Sequence, residues 1–352
     1  MPKILLHHID VINNEFVTGW CFNRLLPRVP VTIHFYIDDQ PIGKVCCQRD
    51  RKDVYRSGMH PTGKCGFQFR FERKFSHTGN QTLFVRAFGR SALVKAIPLK
   101  EISPVLKLPR PFCFMHIPKT AGTSFNNHLQ NWFGIEQWHS HIEVLTLDEQ
   151  RLLARPGHYI AGHLPLFKFR QVVEFDQQTP LHTIVRSPLH QLHSHLAWIK
   201  GIGSQPDSAF FQQHPAVVQQ LANQLQHLDL SSAEGISLFV QQMEGFQLDF
   251  FDNLQTRYFL GYRPEQVNKE DLRQAITNTD IFTSIGITEN YDQYLLQCAD
   301  LYNRTMHSQQ TTKHNPATVD PLFDIENPEI YSALMPLMRF DLEIYEHIVN
   351  SR

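Results

Sequence analysis

The chain of 352 residues carries 33 Lys and Arg against 34 Asp and Glu, with 42% hydrophobic and 19% charged residues. That length allows two ordinary domains with cores of their own, and the even charge balance excludes a chain-wide field that would gather nucleic acid or an acidic membrane surface. No run reaches the roughly 18 apolar residues of a transmembrane helix, and the opening MPKILLHHIDVINNEF has no signal-peptide core.

From about Phe16 to Ile97 the sequence reads as strands. VTIHFYI alternates Val31, Ile33, Phe35 and Ile37, and GFQFRFE alternates Phe67, Phe69 and Phe71, the period of half-buried strands with one wet face. Turn signals separate them at DDQPIG, SGMHPTGKCG and SHTGNQ. Residues 1–98 are therefore expected to form a small all-β antiparallel sandwich. Pro98, Pro104, Pro109 and Pro111 disfavour helix interiors and central strands, so residues 99–111 read as a linker. From 112 to 352, the apolar runs FCFMHI, HYIAGH, LHTIVR and FTSIGIT alternate with helical stretches, the pattern of an α/β domain around a mainly parallel sheet. The six cysteines show no C-x-x-C pair and read as mostly buried free thiols of a reducing compartment.

The chemistry concentrates in PFCFMHIPKTAGTSFNNHLQNWFG, Pro111 to Gly134. An apolar strand that feeds a glycine-containing turn and then a helix places backbone N–H groups and the positive helix end on one anion. Gly122 would let the main chain approach, Lys119 would supply charge, and the hydroxyls of Thr120, Thr123 and Ser124 would donate hydrogen bonds. In a Walker A loop the Lys follows the last Gly; here it precedes Gly122, which weakens a reading as a magnesium-dependent kinase.

HIPKTAGTS resembles the 5′-phosphosulfate loop of carbohydrate sulfotransferases, the family of the heparan sulfate 2-O- and 6-O-sulfotransferases and their bacterial relatives. HTIVRSPLHQLHSHLAW is similar to that family's 3′-phosphate motif, with Arg186 and, eight residues later, Ser194; Ser187 stands where the family usually has Asp. FDNLQTRYFLG, with Gln255, Thr256 and Arg257, and SIGITENYDQ, from Ser284 to Gln293, resemble bacterial members. The resemblance spans roughly residues 111 to 300. It implies a P-loop-like nucleotide-binding domain that takes 3′-phosphoadenosine 5′-phosphosulfate (PAPS) as donor, releases 3′-phosphoadenosine 5′-phosphate (PAP) and needs no metal. Lys119, Thr120, Gly122, Thr123 and Ser124 would hold the 5′-phosphosulfate, and Arg186 and Ser194 the 3′-phosphate. His163 in YIAGHLPLF would be the base, from its likeness in position to the catalytic histidine of the 2-O enzymes; a neutral imidazole suits proton abstraction near pH 7. Arg257 would either reach the nucleotide or acceptor or pair with an acidic neighbour.

Other clusters have plainer readings. His190, His193 and His195 do not share one helix face and are not expected to bind metal. His139, His141 and Glu143 in WHSHIE read as a solvated strand rather than an acceptor site. Residues 201 to 250 read as helices placed to form an acceptor cleft or lid; GWCFN, RKDVYRSG and GKCGFQFRF resemble a β-sandwich module attached to bacterial glycosyltransferases and sulfotransferases, and Trp20, Tyr55 and His60 read either as a sugar platform or, the preferred reading for Trp20, as core. The expected protein is a cytoplasmic bacterial enzyme that sulfates a polysaccharide, oligosaccharide or glycolipid hydroxyl. Its alternatives are a magnesium-dependent nucleotide kinase and a non-catalytic carbohydrate-binding protein with a decayed nucleotide fold. The sequence leaves the acceptor and the oligomeric state open.

Overall fold

The computed structural model describes residues 4–72, 80–89, 91–304 and 322–351. The turn read at residues 76–79 lies outside the described residues. The chain divides into two compact units, one of residues 1–107, 127–138 and 299–306 and the other of residues 108–126, 139–298 and 307–352. The boundary falls inside the proline-rich stretch, and Ile102, Val105 and Leu106 within that stretch are buried.

The first unit holds two antiparallel sheets. One orders β1 (Leu5–Ile12), β2 (Phe16–Asn23), β6 (Lys64–Arg70) and β5 (Arg49–Asp50) as β1-β2-β6-β5; the other orders β4 (Gln40–Cys46), β3 (Thr32–Ile37), β7 (Thr82–Ala87) and β8 (Ala92–Pro98) as β4-β3-β7-β8. Val17, Cys21 and Phe67 of the first sheet share a core with Ile33, Phe35, Leu83 and Val85 of the second, as the alternation requires. The Phe35 and Phe69 rings stack at 4.2 Å, and Gly43 opposite Phe35 leaves the space that a Cβ would take from the Phe69 ring. A register shift between Phe35 and Tyr36 breaks the alternation, so Tyr36 is buried and Ile37 only partly so.

The three-residue sugar platform is not formed by this unit. His60 is buried in its own turn, with Nδ1 accepting the Gly63 N–H at 3.0 Å and Nε2 within 2.6 Å of the Pro27 carbonyl. Trp20 lies half-buried between the rings of His8 and Phe22, while Tyr55 is exposed.

The second unit contains a five-stranded sheet of β9 (Phe112–Met115), β10 (Trp138–His139), β11 (Tyr159–Gly162), β12 (Leu181–Val185) and β13 (Ser284–Ile287), ordered β10-β11-β9-β12-β13. Pairing is parallel from β11 through β13. Every residue of β9, β11 and β12 is buried, which is why these strands read as continuous apolar runs. After β9 the chain adds β11 on one side and β12 on the other. The order therefore reverses between β9 and β12, and the segments that leave their carboxyl ends meet at that switch point, where Arg186 donates to the Lys119 carbonyl.

The helices of the 201–250 region form a core of their own. Leu221, Leu225, Ile236 and Phe239 pack with Leu192, Leu196 and Ile199 of helix Pro188–Gly203 and with Leu334 and Met338 of helix Pro328–Asn350. Among the described residues, no helix is long and apolar enough to cross a membrane. Phe35 has 0% exposure, and Phe35→Ala should cost about 3–5 kcal/mol through the cavity it leaves, read as a fall in the urea midpoint of unfolding.

Candidate anion and acid-base site

The loop after β9 runs through Lys119 and Ala121, both at φ 67°, a left-handed conformation rare outside glycine, with Thr120 between them in the ordinary region. Alternation of this kind turns successive N–H groups inward, as in an anion-binding nest. Helix Gly122–Leu129 begins directly afterwards. Gly122 itself has an ordinary φ, and a Cβ there would overlap the buried His116 ring.

Two cations meet here. Arg186, at the end of β12, donates from Nη1 to the Lys119 carbonyl at 3.2 Å. The Lys119 ammonium stands 5.7 Å from the centre of the Trp198 ring and makes no hydrogen bond among the described residues. Burial and the neighbouring Arg186 lower the Lys119 pKa, and burial lowers that of Arg186, with Glu289 opposing. Both shifts express the cost of two half-buried positive charges, a cost that a bound anion would relieve.

Neighbouring groups hold this pair in place. Gln191 donates to the Pro118 carbonyl at 3.0 Å, and Glu289 accepts the Ser187 N–H at 3.0 Å. Gln255 clamps the Arg186 backbone in both directions, accepting its N–H at 2.9 Å and donating to its carbonyl at 2.8 Å. Gln255 in turn sits on helix Leu254–Tyr258, whose first turn is held by Asp341: the carboxylate accepts the N–H groups of Gln255 and Thr256 at 3.1 and 2.7 Å and the Thr256 hydroxyl at 2.7 Å. Asn253, left-handed at φ 48°, donates to the Pro336 carbonyl at 3.2 Å and accepts the N–H of Phe340 at 2.8 Å, which ties it to helix Pro328–Asn350.

His163 follows β11. Its Nδ1 lies 2.7 Å from the His116 carbonyl, which only accepts, so Nδ1 carries the proton and the Nε2 lone pair is left as the basic atom. Burial lowers the His163 pKa, opposed by Glu143 and by the bond to His116 and reinforced by His141 and Lys119. Glu143 accepts the His163 N–H through Oε2 at 3.1 Å and contacts His141 Nδ1 through Oε1 at 3.0 Å. That bond to Glu143 raises the His141 pKa against burial. His195 is buried beside Lys119 and His163, and burial brings its pKa down to about 3.

The expected site residues divide. Lys119, Gly122, Thr123, Arg186 and His163 lie where the loops after β9, β11 and β12 emerge. Ser194 is half-buried one turn before Trp198, on the helix face that meets Lys119. Thr120 is corrected as a hydroxyl donor to phosphate: it has 0% exposure and donates to the Ile117 carbonyl at 2.9 Å. Ser124 is buried as well, which leaves Thr123 as the exposed hydroxyl of the three.

Arg257 is corrected too. Its five N–H donors go to the Asp252 carbonyl and carboxylate, the Asp249 carboxylate and the carbonyls of Pro264 and Glu265, so none remains for a nucleotide. In HQLHSH, His193 Nε2 accepts the Leu322 N–H, and His195 is buried. His141 and Glu143 depart from the solvated-strand reading because they meet His163. No fixed spacing links residues brought together by two different strand ends, so the sequence carried no signal for that cluster.

Two predictions follow from the supporting contacts. Helix propensity alone favours Gly122→Ala by about 1 kcal/mol, yet overlap with His116 should make it destabilising by about 1–3 kcal/mol in thermal denaturation. Burial pushes the Asp341 carboxyl from 3.8 up to about 7, even though its bonds to Thr256 and Gln255 pull it down. Between those values the folded chain holds a proton that the unfolded chain releases, so this group makes stability fall as pH rises through the window. Asp341→Asn should remove that slope, and urea midpoints at about pH 5 and about pH 8 check it. Comparison with protein-family models, curated proteins and solved structures finds no match to this chain.

Proposed function

We propose that this chain is a PAPS-dependent carbohydrate sulfotransferase whose second unit is a P-loop-like nucleotide-binding domain. The observation that carries the reading is the pair Lys119 and Arg186, two half-buried cations at the switch point of a parallel sheet, one of them without a hydrogen-bonded partner among the described residues. Arg257, by contrast, is neutralised by carboxylates. An anion with two phosphate-like ends fits such a pair: Lys119, Thr123 and the main chain of the 119–122 loop would take the 5′-phosphosulfate, and Arg186 with Ser194 the 3′-phosphate.

In the reaction, an acceptor hydroxyl oxygen forms a bond to sulfur as the bond from sulfur to the phosphate oxygen breaks. The hydroxyl proton passes to Nε2 of His163, and PAP leaves with the electron pair. His163 suits this role because its Nδ1 is anchored, which fixes the tautomer and aims the lone pair. Lys119 would stabilise the charge that grows on the departing phosphate. The acceptor is a polysaccharide, oligosaccharide or glycolipid and the setting the cytoplasm; both belong to the same proposal and rest on the likeness of the motifs.

The test is calorimetric titration of the whole chain with PAP, with magnesium-ATP as comparator. PAP should bind, Lys119→Ala and Arg186→Ala should each weaken it by about 1.5–3 kcal/mol, and magnesium should matter little. His163→Ala should leave PAP affinity intact and lower kcat by about 10²–10⁴-fold on a glycan acceptor. Binding of magnesium-ATP in place of PAP would favour the kinase, and PAP binding without transfer to any glycan would favour the non-catalytic alternative.

A further inference from the structure

His141, Glu143 and His163 offer one ligand atom each, and these atoms all lie within 4.8 Å of one another. We propose that they form a binding site for one divalent transition-metal ion of the zinc class, with a fourth position open to an exchangeable ligand on the exposed His141 side.

Four observations support the assignment. Two imidazoles and a carboxylate are a borderline donor set that suits zinc or cobalt better than magnesium or calcium. The Nδ1 of His141 stands 3.0 Å from Oε1 of Glu143. Two ligands bound about 2.0–2.1 Å from zinc at the tetrahedral angle are roughly 3.3 Å apart, so an ion replaces the shared proton with a small adjustment. The outer contacts are of the kind that orient metal ligands: His163 donates its Nδ1 proton to the His116 carbonyl, which presents Nε2, and Glu143 is fixed by the His163 N–H on its second oxygen. His141 is held at φ 58°, a strained conformation for a residue with a side chain, and this turns it back toward Glu143. The pair of His139 and His158, 3.2 Å apart, belongs to no group of three ligands among the described residues and is not assigned an ion.

The site has a consequence that rests on the sulfotransferase reading. A metal ion and an acceptor proton compete for the same Nε2 lone pair of His163, so zinc would inhibit transfer.

The experiment is titration of the full chain, stripped with EDTA, with zinc by calorimetry and with cobalt by visible absorption. One ion per chain should bind, and cobalt should give the intense bands of a four-coordinate site. His141→Ala, which removes an exposed side chain and should leave folding intact, and Glu143→Gln should each weaken zinc by at least about tenfold. His190→Ala, at an exposed histidine outside the cluster, should change nothing. Absence of stoichiometric binding, or binding that survives both cluster substitutions, overturns the site. PAP titration of the same samples separates the two readings. Zinc binding without PAP binding keeps the metal site and sinks the sulfotransferase; PAP binding without zinc binding does the reverse. If both bind, zinc should slow transfer in the parent chain and not in His141→Ala, and equal slowing of both overturns the proposed competition.

Discussion

The reciprocal hydrogen bonds between the Gln255 side chain and the Arg186 backbone are the constraint on which the site rests. They are the last link of a buried series that starts at the middle of helix Pro328–Asn350. There Asn253 donates to the Pro336 carbonyl and accepts the N–H of Phe340. Asp341, one residue beyond Phe340, then receives the first N–H groups of the helix that carries Gln255. In a low-dielectric interior each of these groups would be costly to leave unpaired, so the series behaves as a unit and holds Arg186 against the loop of Lys119.

The same accounting separates two arginines that look equivalent on paper. Arg257 lies in a motif with Gln255 and Thr256, and all three are buried. Its guanidinium is matched donor for donor by Asp252, Asp249 and nearby carbonyls, which makes it a brace for the segment around residue 265. Among the described residues the Arg186 guanidinium has one hydrogen bond, to the Lys119 carbonyl, and a second cation beside it. Residue type and spacing do not distinguish a spare charge from a satisfied one; the count of partners does.

Backbone strain marks the same region. Of the non-glycine residues with positive φ, Lys119, Ala121 and His141 belong to the candidate site and Asn253 to its support. Each such conformation costs of order 1–3 kcal/mol and persists only where the surroundings impose it. Lys119 is held by Arg186 on its carbonyl, Ala121 by the following helix whose Phe125 N–H bonds back to it, and His141 by Glu143.

Much of this protein was legible in its residues alone. Period-two alternation marked the strands of the sandwich, and continuous apolar runs marked β9, β11, β12 and β13, because a strand buried on one face and a strand buried on both leave different patterns. The strand, turn and helix around Lys119 are local features, legible from adjacent residues. What only the tertiary structure decided was partnership. It placed the Thr120 hydroxyl inward, set Gly122 against His116, closed Arg257 off and carried His141 and Glu143 to His163. Those outcomes depend on which strand ends lie side by side, and side-by-side order in a parallel sheet is set by packing between segments far apart in the chain, which leaves no periodic trace in the sequence.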